Sequence, residues 1–117
     1  MSLKRGDVLF VDLVPRSGSE QTGRRPALLV SDDRFNRIDA WRSLIVIPMS
    51  TSSAQARRGP TSITLPAGTG GLKEASVMLC HQITTLDRSK VVEKWGRLPR
   101  SYMIQVEAGI KAALDLE

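Results

Sequence analysis

The chain has 117 residues, of which 41% are hydrophobic and 25% are charged. We expect one domain over residues 1–117, because this length supports a single modest core, and the composition excludes a mostly disordered chain. Seventeen basic residues against twelve acidic ones give a net charge of +5, which permits a polyanionic partner without requiring one.

Cysteine content and hydropathy exclude several other classes of protein. Cys80 is the one cysteine and His81 the one histidine, so an internal disulfide and the ligand spacing of a zinc site are both excluded. No apolar run approaches the roughly 20 residues that span a bilayer, and residues 1–5 lack the apolar segment of a signal peptide. We therefore expect a cytoplasmic protein without a metal ion, a cofactor or a membrane contact.

Short β-prone runs separated by turns occupy most of the chain. The predicted strands are Val8–Leu13, Ala27–Val30, Leu44–Met49, Ser62–Leu65, Ser76–Ile83 and Val91–Trp95. Because Pro48 cannot donate to a sheet ladder, we expect the third strand to end there, to bulge or to lie at an edge. The polar segment Ser52–Thr61 lacks periodicity, which indicates a mobile loop.

The C-terminal segment has a helical pattern instead. Apolar residues recur there at spacings of three and four, namely Met103, Val106, Ile110, Ala113 and Leu114. Pro99 suits a helix start, and no proline interrupts the residues that follow. Many strands followed by one helix indicate an α+β fold in which a curved antiparallel sheet or partial barrel packs against that helix.

The loop between the first two strands holds the densest cluster of reactive side chains. Glu20, Arg24 and Arg25 lie within six residues, and the flanking Gly18 and Gly23 let the backbone approach a ligand. Paired guanidinium groups suit phosphate oxygens. If Arg25 opens the second strand while Glu20 stays on the loop, the two face one pocket. By composition alone, a solvated loop remains the simpler interpretation.

Two further segments carry polar side chains with open interpretations. The hydroxyls of Ser50–Ser53 either orient a phosphate or form a turn, and the turn is the simpler interpretation. His81 and Gln82 fall within a predicted strand, so we expect their side chains on opposite faces of the sheet. Asp87 is expected to cap a turn. Trp41 and Trp95 suit a core, an interface or a base-stacking platform equally well.

Five motifs resemble those of the MazF/PemK toxins and follow the same order along the chain. The most specific are Gly-Ser-Glu-Gln-x-Gly-x-Arg-Pro at Gly18–Pro26 and Gln-Ile-Thr-Thr-Leu-Asp at Gln82–Asp87. Lys4–Val8, Val46–Ser50 and Gly96-x-Leu98 are similar to the family's remaining segments, so the resemblance covers nearly the whole chain.

The resemblance implies a fold and an activity. The fold is a plug-type, SH3-like antiparallel β-barrel with a C-terminal α-helix, usually as a homodimer. The activity is that of the toxin of a type II toxin–antitoxin system, an endoribonuclease that cuts single-stranded RNA, typically messenger RNA, at short sequences without a metal. Attack by the RNA 2′-hydroxyl leaves 2′,3′-cyclic phosphate and 5′-hydroxyl ends. A cognate antitoxin covers the RNA groove, and DNA is reached only indirectly, through that antitoxin.

The resemblance also implies roles for particular residues. The family's catalytic arginine falls on Arg25, a phosphate clamp, and its catalytic threonine on Ser50, with Thr51 as the alternative if the register differs by one residue. Glu20 matches a loop acid, which suits the general base. Expected RNA contacts, at matched or adjacent positions, are Ser19, Gln21, Arg24 and Gln82. His81 inherits no role, and no metal ligand is implied.

Two other functions remain open at this point. A CcdB-like toxin that poisons gyrase shares the barrel but binds a protein and cuts nothing, and a catalytically silent barrel binds RNA or a partner only. Arg25–Pro26 and the hydroxyls of Ser50 and Thr51 favour the ribonuclease. The serine at position 50 is the main feature that favours the silent barrel.

Overall fold

The computed structural model describes residues 1–57 and 59–117, within which seven strands and two helices are present. The strands are β1 (Asp7–Asp12), β2 (Arg24–Leu29), β3 (Ser43–Ser50), β4 (Ser62–Leu65), β5 (Ser76–Leu79), β6 (Thr84–Asp87) and β7 (Val91–Arg97). The helices are the single turn α1 (Asp33–Asn36) and the long C-terminal α2 (Arg100–Leu114). Every strand pair is antiparallel, in the order β4-β5-β3-β2-β1-β7, with β6 paired to β3.

Strand β3 is the centre of this sheet and changes partner along one of its edges. On one side it pairs with β2, where Ala27 lies opposite Pro48. On the other side it pairs with β6 as far as Val46 and with β5 from Met49 onward. Pro48 lies in the gap between these two partners, so its missing amide hydrogen breaks no ladder there. The expectation of an end, a bulge or an edge at Pro48 is wrong, because β3 continues to Ser50.

Hydrophobic side chains are buried on both faces of the sheet. Alternation along β1 sends Val8 to one face and Leu9 and Val11 to the other, and all three are fully buried. On the first face, side chains of β2–β5 pack with helix α2. On the second face, the strands curl around a core with β6. The predicted α+β fold, an open antiparallel barrel with a C-terminal helix, is confirmed.

Helix α2 covers the first core with the residues at the N-terminal end of its predicted apolar stripe. Met103 and Val106 are buried, whereas Leu114 is 51% exposed because the helix ends at that residue. Gly109 lets the helix approach closely: a Cβ placed there would lie 2.7 Å from the Cys80 sulfur. Burial at this contact raises the pKa of the Cys80 thiol to about 11.

Several predicted boundaries need correction. The predicted strand Ser76–Ile83 ends at Leu79, and a 3₁₀ turn over Cys80–Gln82 leads into β6, which the sequence analysis did not predict. The predicted mobile loop Ser52–Thr61 contains 3₁₀ turns at Ser53–Arg57 and Gly59–Thr61, and residue 58 lies outside the described residues. Asp87 caps a turn as expected, and bonds from the Ser89 hydroxyl and amide hold its pKa below the ordinary value.

A buried carboxylate ties the N-terminal segment to the last strand. Asp7, whose side chain is almost fully buried, accepts the amide of Lys4 at 2.7 Å and pairs with Lys94 and Arg97, each at 3.3 Å. These bonds satisfy the charge that burial would otherwise leave unpaired. Within residues 1–57 and 59–117, no helix has the length and apolarity needed to cross a membrane.

Gly96 offers a test of the packing between β7 and the 3₁₀ turn Thr69–Gly71. A Cβ at Gly96 would collide with the carbonyl oxygen of Gly70, a backbone atom that cannot move aside alone. We expect Gly96→Ala to lower the free energy of unfolding by about 1–3 kcal/mol, measured by urea denaturation. Val92→Ala, a substitution of a half-exposed residue on the same strand, is the control with little effect. Equal stability of both variants would contradict this packing.

Candidate functional site

The loop between β1 and β2 is held onto the turn Cys80–Gln82 by one side-chain amide. Gln82 Oε1 accepts the backbone amide of Gln21 at 2.7 Å, and Gln82 Nε2 donates to the carbonyl of Ser19 at 3.0 Å. Both halves of the amide therefore bind the loop on either side of Glu20. Gln82 therefore holds the loop, and the RNA contact that the resemblance implies for it stays a prediction.

Arg16 forms a second attachment of the same loop. Its guanidinium donates to the Leu13 carbonyl at 3.2 Å, to the Thr84 hydroxyl at 3.3 Å and to the Thr85 carbonyl at 3.4 Å. It also lies 3.7 Å from the Glu20 carboxylate. Arg16 thus links the loop to β6 and places a positive charge beside Glu20.

The loop and the turn enclose a first cavity of about 330 Å³, which we call the loop cavity. Its polar and charged lining residues are Arg16, Ser19, Glu20, Gln21, His81, Gln82 and Thr84. His81 and Gln82 both line it, so the expectation that they lie on opposite faces is wrong. A 3₁₀ turn does not alternate its side chains as a strand does.

A second cavity of about 220 Å³, the strand-end cavity, lies where β2 begins and β3 ends. It brings together three cationic residues, one carboxylate and one exposed hydroxyl: Arg24, Arg25, Lys73, Glu74 and Thr51. Phe10 and Trp95 line it as a stacked pair with ring centroids 4.8 Å apart, and the Lys73 ammonium lies 4.9 Å from the Trp95 ring. The cavity is therefore positively charged with an aromatic wall.

Arg25 lines one cavity and contacts the loop that lines the other. It lines the strand-end cavity, while its Nε donates to the Thr22 carbonyl of the β1–β2 loop at 2.6 Å. Glu20 lines only the loop cavity, where it lies near Arg16 and accepts the Ser17 hydroxyl at 3.3 Å. The expectation that Glu20 and Arg25 face one pocket is thus wrong for this position of the loop.

The two hydroxyls at the end of β3 have different surroundings. Ser50 pairs with Val77 on β5, is 6% exposed, and its Oγ accepts the amide of Ser52 at 3.1 Å. Thr51 is the first residue beyond the strand, is exposed and lines the strand-end cavity beside Arg25. Of the two, Thr51 shares a cavity with the arginine.

Sequence reasoning missed Lys73, Glu74 and Arg16 as site residues. Lys73 and Glu74 follow a glycine-rich turn and precede β5, so a charged pair at a strand start was the available signal. Their approach to Arg25 depends on pairing between distant strands. In the described parts of the chain, no group of histidine, cysteine and acidic residues is arranged to hold a metal ion.

Comparison with known proteins places this site in a family. Residues 4–114 match the family model described as PemK-like, MazF-like toxin of type II toxin-antitoxin system. The chain belongs to this toxin family. Endoribonuclease EndoA of Bacillus subtilis is 34% identical over 116 residues, covering 99% of this chain and 97% of the relative. Endoribonuclease MazF of Staphylococcus epidermidis is 32% identical over 114 residues, covering 97% and 92%.

Solved structures of MazF proteins share the fold. The crystal structure of MazF (Form-I) from Deinococcus radiodurans is 26% identical, with a TM-score of 0.82 and 99% coverage of both chains. MazE–MazF (Form-II) from the same organism gives 25% identity, a TM-score of 0.75 and coverage of 100% and 99%. The predicted family, fold and enzyme class, a toxin endoribonuclease of the MazF type, are confirmed.

The contacts of Gln82 predict how firmly the loop of this MazF-family toxin is held. Gln82→Leu removes both bonds to the loop, each contributing about 1 kcal/mol, so we expect the Gln21 amide hydrogen to exchange about tenfold faster or more. Hydrogen exchange followed by mass spectrometry or NMR measures this. Gln105→Leu, on the exposed face of α2, should leave it unchanged. Unaltered exchange at Gln21 in the Gln82 variant would contradict the attachment.

Proposed function

We propose that this toxin cleaves single-stranded RNA, with messenger RNA as the substrate class, at a short sequence and without a metal ion. The observation that carries the proposal is the strand-end cavity, in which Arg25 and Thr51 lie beside Arg24 and Lys73. Three cationic side chains and a hydroxyl match the charge and the acceptor oxygens of a phosphodiester backbone. Family membership and the endoribonuclease relatives support the same function.

Arg25 acts as the clamp on the scissile phosphate. It is partly buried, so its interaction with a developing negative charge is screened less than at an open surface. A guanidinium offers hydrogen-bond donors and no acceptor, so we assign proton acceptance to another residue. Arg24 and Lys73 contact neighbouring phosphates. The Trp95 ring already packs against Phe10 and Lys73. RNA bases are therefore held in this cavity more by hydrogen bonds to their edges than by stacking on that ring.

Glu20 acts as the general base from the loop cavity. Its carboxylate accepts the proton of the 2′-hydroxyl, the 2′-oxygen forms a bond to phosphorus, and the bond from phosphorus to the 5′-oxygen breaks. The products are a 2′,3′-cyclic phosphate and a 5′-hydroxyl. The bond from Arg25 to the Thr22 carbonyl supports this arrangement, because it joins the clamp to the loop that carries Glu20.

The remaining loop residues bind the RNA beside the scissile bond. Ser19 and Gln21 line the loop cavity, and Gln82 uses only their backbone groups, so both side chains remain for contacts with RNA. Gln82 joins them once the loop opens. The RNA therefore runs from the loop cavity, past Arg25, into the strand-end cavity.

We also propose the partners and location that the resemblance implies. The complex of MazE with MazF supports an antitoxin partner for this chain. A homodimer is supported by exposed apolar side chains in two places: Trp41, whose ring lies 4.8 Å from that of Phe35, and Ile104 and Leu114 on α2. The cytoplasmic location rests on the cysteine content alone.

A cleavage assay in chelator tests the function. Purified protein is incubated with a long single-stranded RNA in excess EDTA, and the product ends are identified by mass spectrometry. We expect cyclic-phosphate and 5′-hydroxyl ends, and we expect Arg25→Ala to slow cleavage by about 10²–10³-fold while its fold stays intact. Arg34→Ala, which removes an exposed arginine paired with Asp32 on α1, is the charge-matched control with wild-type activity.

Three outcomes would contradict the proposal. Cleavage that stops in EDTA argues for a metal-dependent enzyme. Absence of cleavage together with inhibition of gyrase supercoiling supports the CcdB-like alternative, and RNA binding without cleavage supports the silent barrel. A folded Arg25→Ala variant with normal turnover removes the arginine from the clamp role.

Assigning the working hydroxyl to Thr51 predicts different losses of cleavage rate for variants of Thr51 and Ser50. Thr51 donates its hydroxyl to a nonbridging phosphate oxygen, so Thr51→Val should slow cleavage by about 10²-fold. Ser50→Ala should change the rate less than about threefold and lower the melting temperature, because its buried Oγ holds the Ser52 amide. Single-turnover rates and thermal melts measure both variants. The reverse pattern of rates would assign the working hydroxyl to Ser50.

A further inference from the structure

We infer that His81 is the general acid of the reaction, the residue that protonates the departing 5′-oxygen. The inference rests on the proposed function and adds a catalytic residue to it. It arises from the loop cavity, in which an imidazole, a carboxylate and a guanidinium meet: His81, Glu20 and Arg16. A carboxylate that accepts a proton and an imidazolium that donates one are the two partners that RNA transesterification requires.

The positions of Glu20 and His81 suit a base for the entering oxygen and an acid for the leaving oxygen. Glu20 lies on the β1–β2 loop and His81 on the turn Cys80–Gln82, so the two groups line the cavity from different elements of the chain. Entering and leaving oxygens lie roughly in line through phosphorus, so base and acid must approach from opposite sides. A volume of about 330 Å³ is sufficient for the ribose that carries the 2′-hydroxyl, with the scissile phosphate at the edge of the cavity that faces Arg25.

The ring of His81 is oriented by a neighbouring residue. Its Nδ1 lies 3.2 Å from the Thr61 hydroxyl. In the imidazolium form both ring nitrogens donate, so Nδ1 donates to Thr61 and Nε2 is the nitrogen that faces the leaving oxygen. His81 is exposed, which lets it take up a proton from water before each turnover.

The proton balance is complete with these residues. Glu20 takes the proton of the 2′-hydroxyl as the bond from the 2′-oxygen to phosphorus forms. The bond from phosphorus to the 5′-oxygen breaks, and its electron pair takes the Nε2 proton of His81. Glu20 ends protonated and His81 neutral, and exchange with water restores both. Arg16 pairs with the Glu20 carboxylate at 3.7 Å.

A leaving-group substitution separates this role from a structural one. The site cut by the wild-type protein is first mapped on a long RNA and then synthesised as two short oligoribonucleotides, one normal and one with sulfur as the 5′-bridging atom. A thiolate leaves without a proton, because a thiol is far more acidic than an alcohol. We expect His81→Asn to slow the oxygen substrate by about 10²-fold or more and to cleave the sulfur substrate within about threefold of wild type.

Comparing two variants on both substrates distinguishes a catalytic role of His81 from a structural one. The side-chain amide introduced by His81→Asn keeps a polar atom near Thr61, and Glu20→Gln, which removes the base, should slow both substrates. Equal slowing of both substrates by His81→Asn would show a structural role, and an unchanged rate on the oxygen substrate would show no role; either overturns the inference. If the wild-type protein cuts no RNA, the proposed function itself fails. If it cuts RNA and only the His81 prediction fails, that function stands.

Discussion

The site depends on a break in pairing along one edge of β3. That edge binds β6 up to Val46 and β5 from Met49, so the chain must turn between the two strands beside Pro48. The turn is Cys80–Gln82, and its geometry brings His81 and Gln82 to the same side, where Pro48 also lines the loop cavity. Had β5 and β6 formed one continuous strand, these two side chains would point to opposite faces. The proline, which has no amide hydrogen to donate, therefore lies where β3 has no partner strand on that edge.

This turn also decides where the candidate catalytic groups lie. Gln82 holds the loop by the backbone on both sides of Glu20, which keeps that carboxylate in the loop cavity and out of the strand-end cavity. Positive charge is thus concentrated around Arg25 in the strand-end cavity, whereas Glu20 and His81 line the loop cavity. Two hydrogen bonds of about 1 kcal/mol each are strong enough to order a glycine-containing loop and weak enough to let it open.

The sequence predicted the elements whose signals are local. The predicted strand Ala27–Val30 overlaps β2, and Ser62–Leu65 matches β4, because each carries its own apolar pattern. The start of α2 was found from the spacing of Met103 and Val106. The 3₁₀ turn was missed because Cys80–Gln82 contains no glycine or proline to mark a turn, and only the pairing of β3 with two partners shows where β5 must end.

The candidate site was predicted less completely for the same reason. Arg25 and Glu20 were recognised from a family motif, whereas their separation into two cavities depends on how Gln82 docks the loop. Lys73 and Glu74 reach the strand-end cavity only through contacts between distant strands. No pattern within their own segment contains that information.

The choice between the two hydroxyls at the end of β3 follows from register. Ser50 is the last residue paired with β5, opposite Val77, and pairing buries it and directs its Oγ to the Ser52 amide. Thr51 is the first residue outside the ladder, so its side chain is exposed to the cavity that contains Arg25. In the proposed site the residue beyond the ladder supplies the hydroxyl, so a serine at the matched position would not weaken the enzyme. On this argument, shortening the β3–β5 ladder by one pair, not exchanging serine for threonine, would return that role to Ser50.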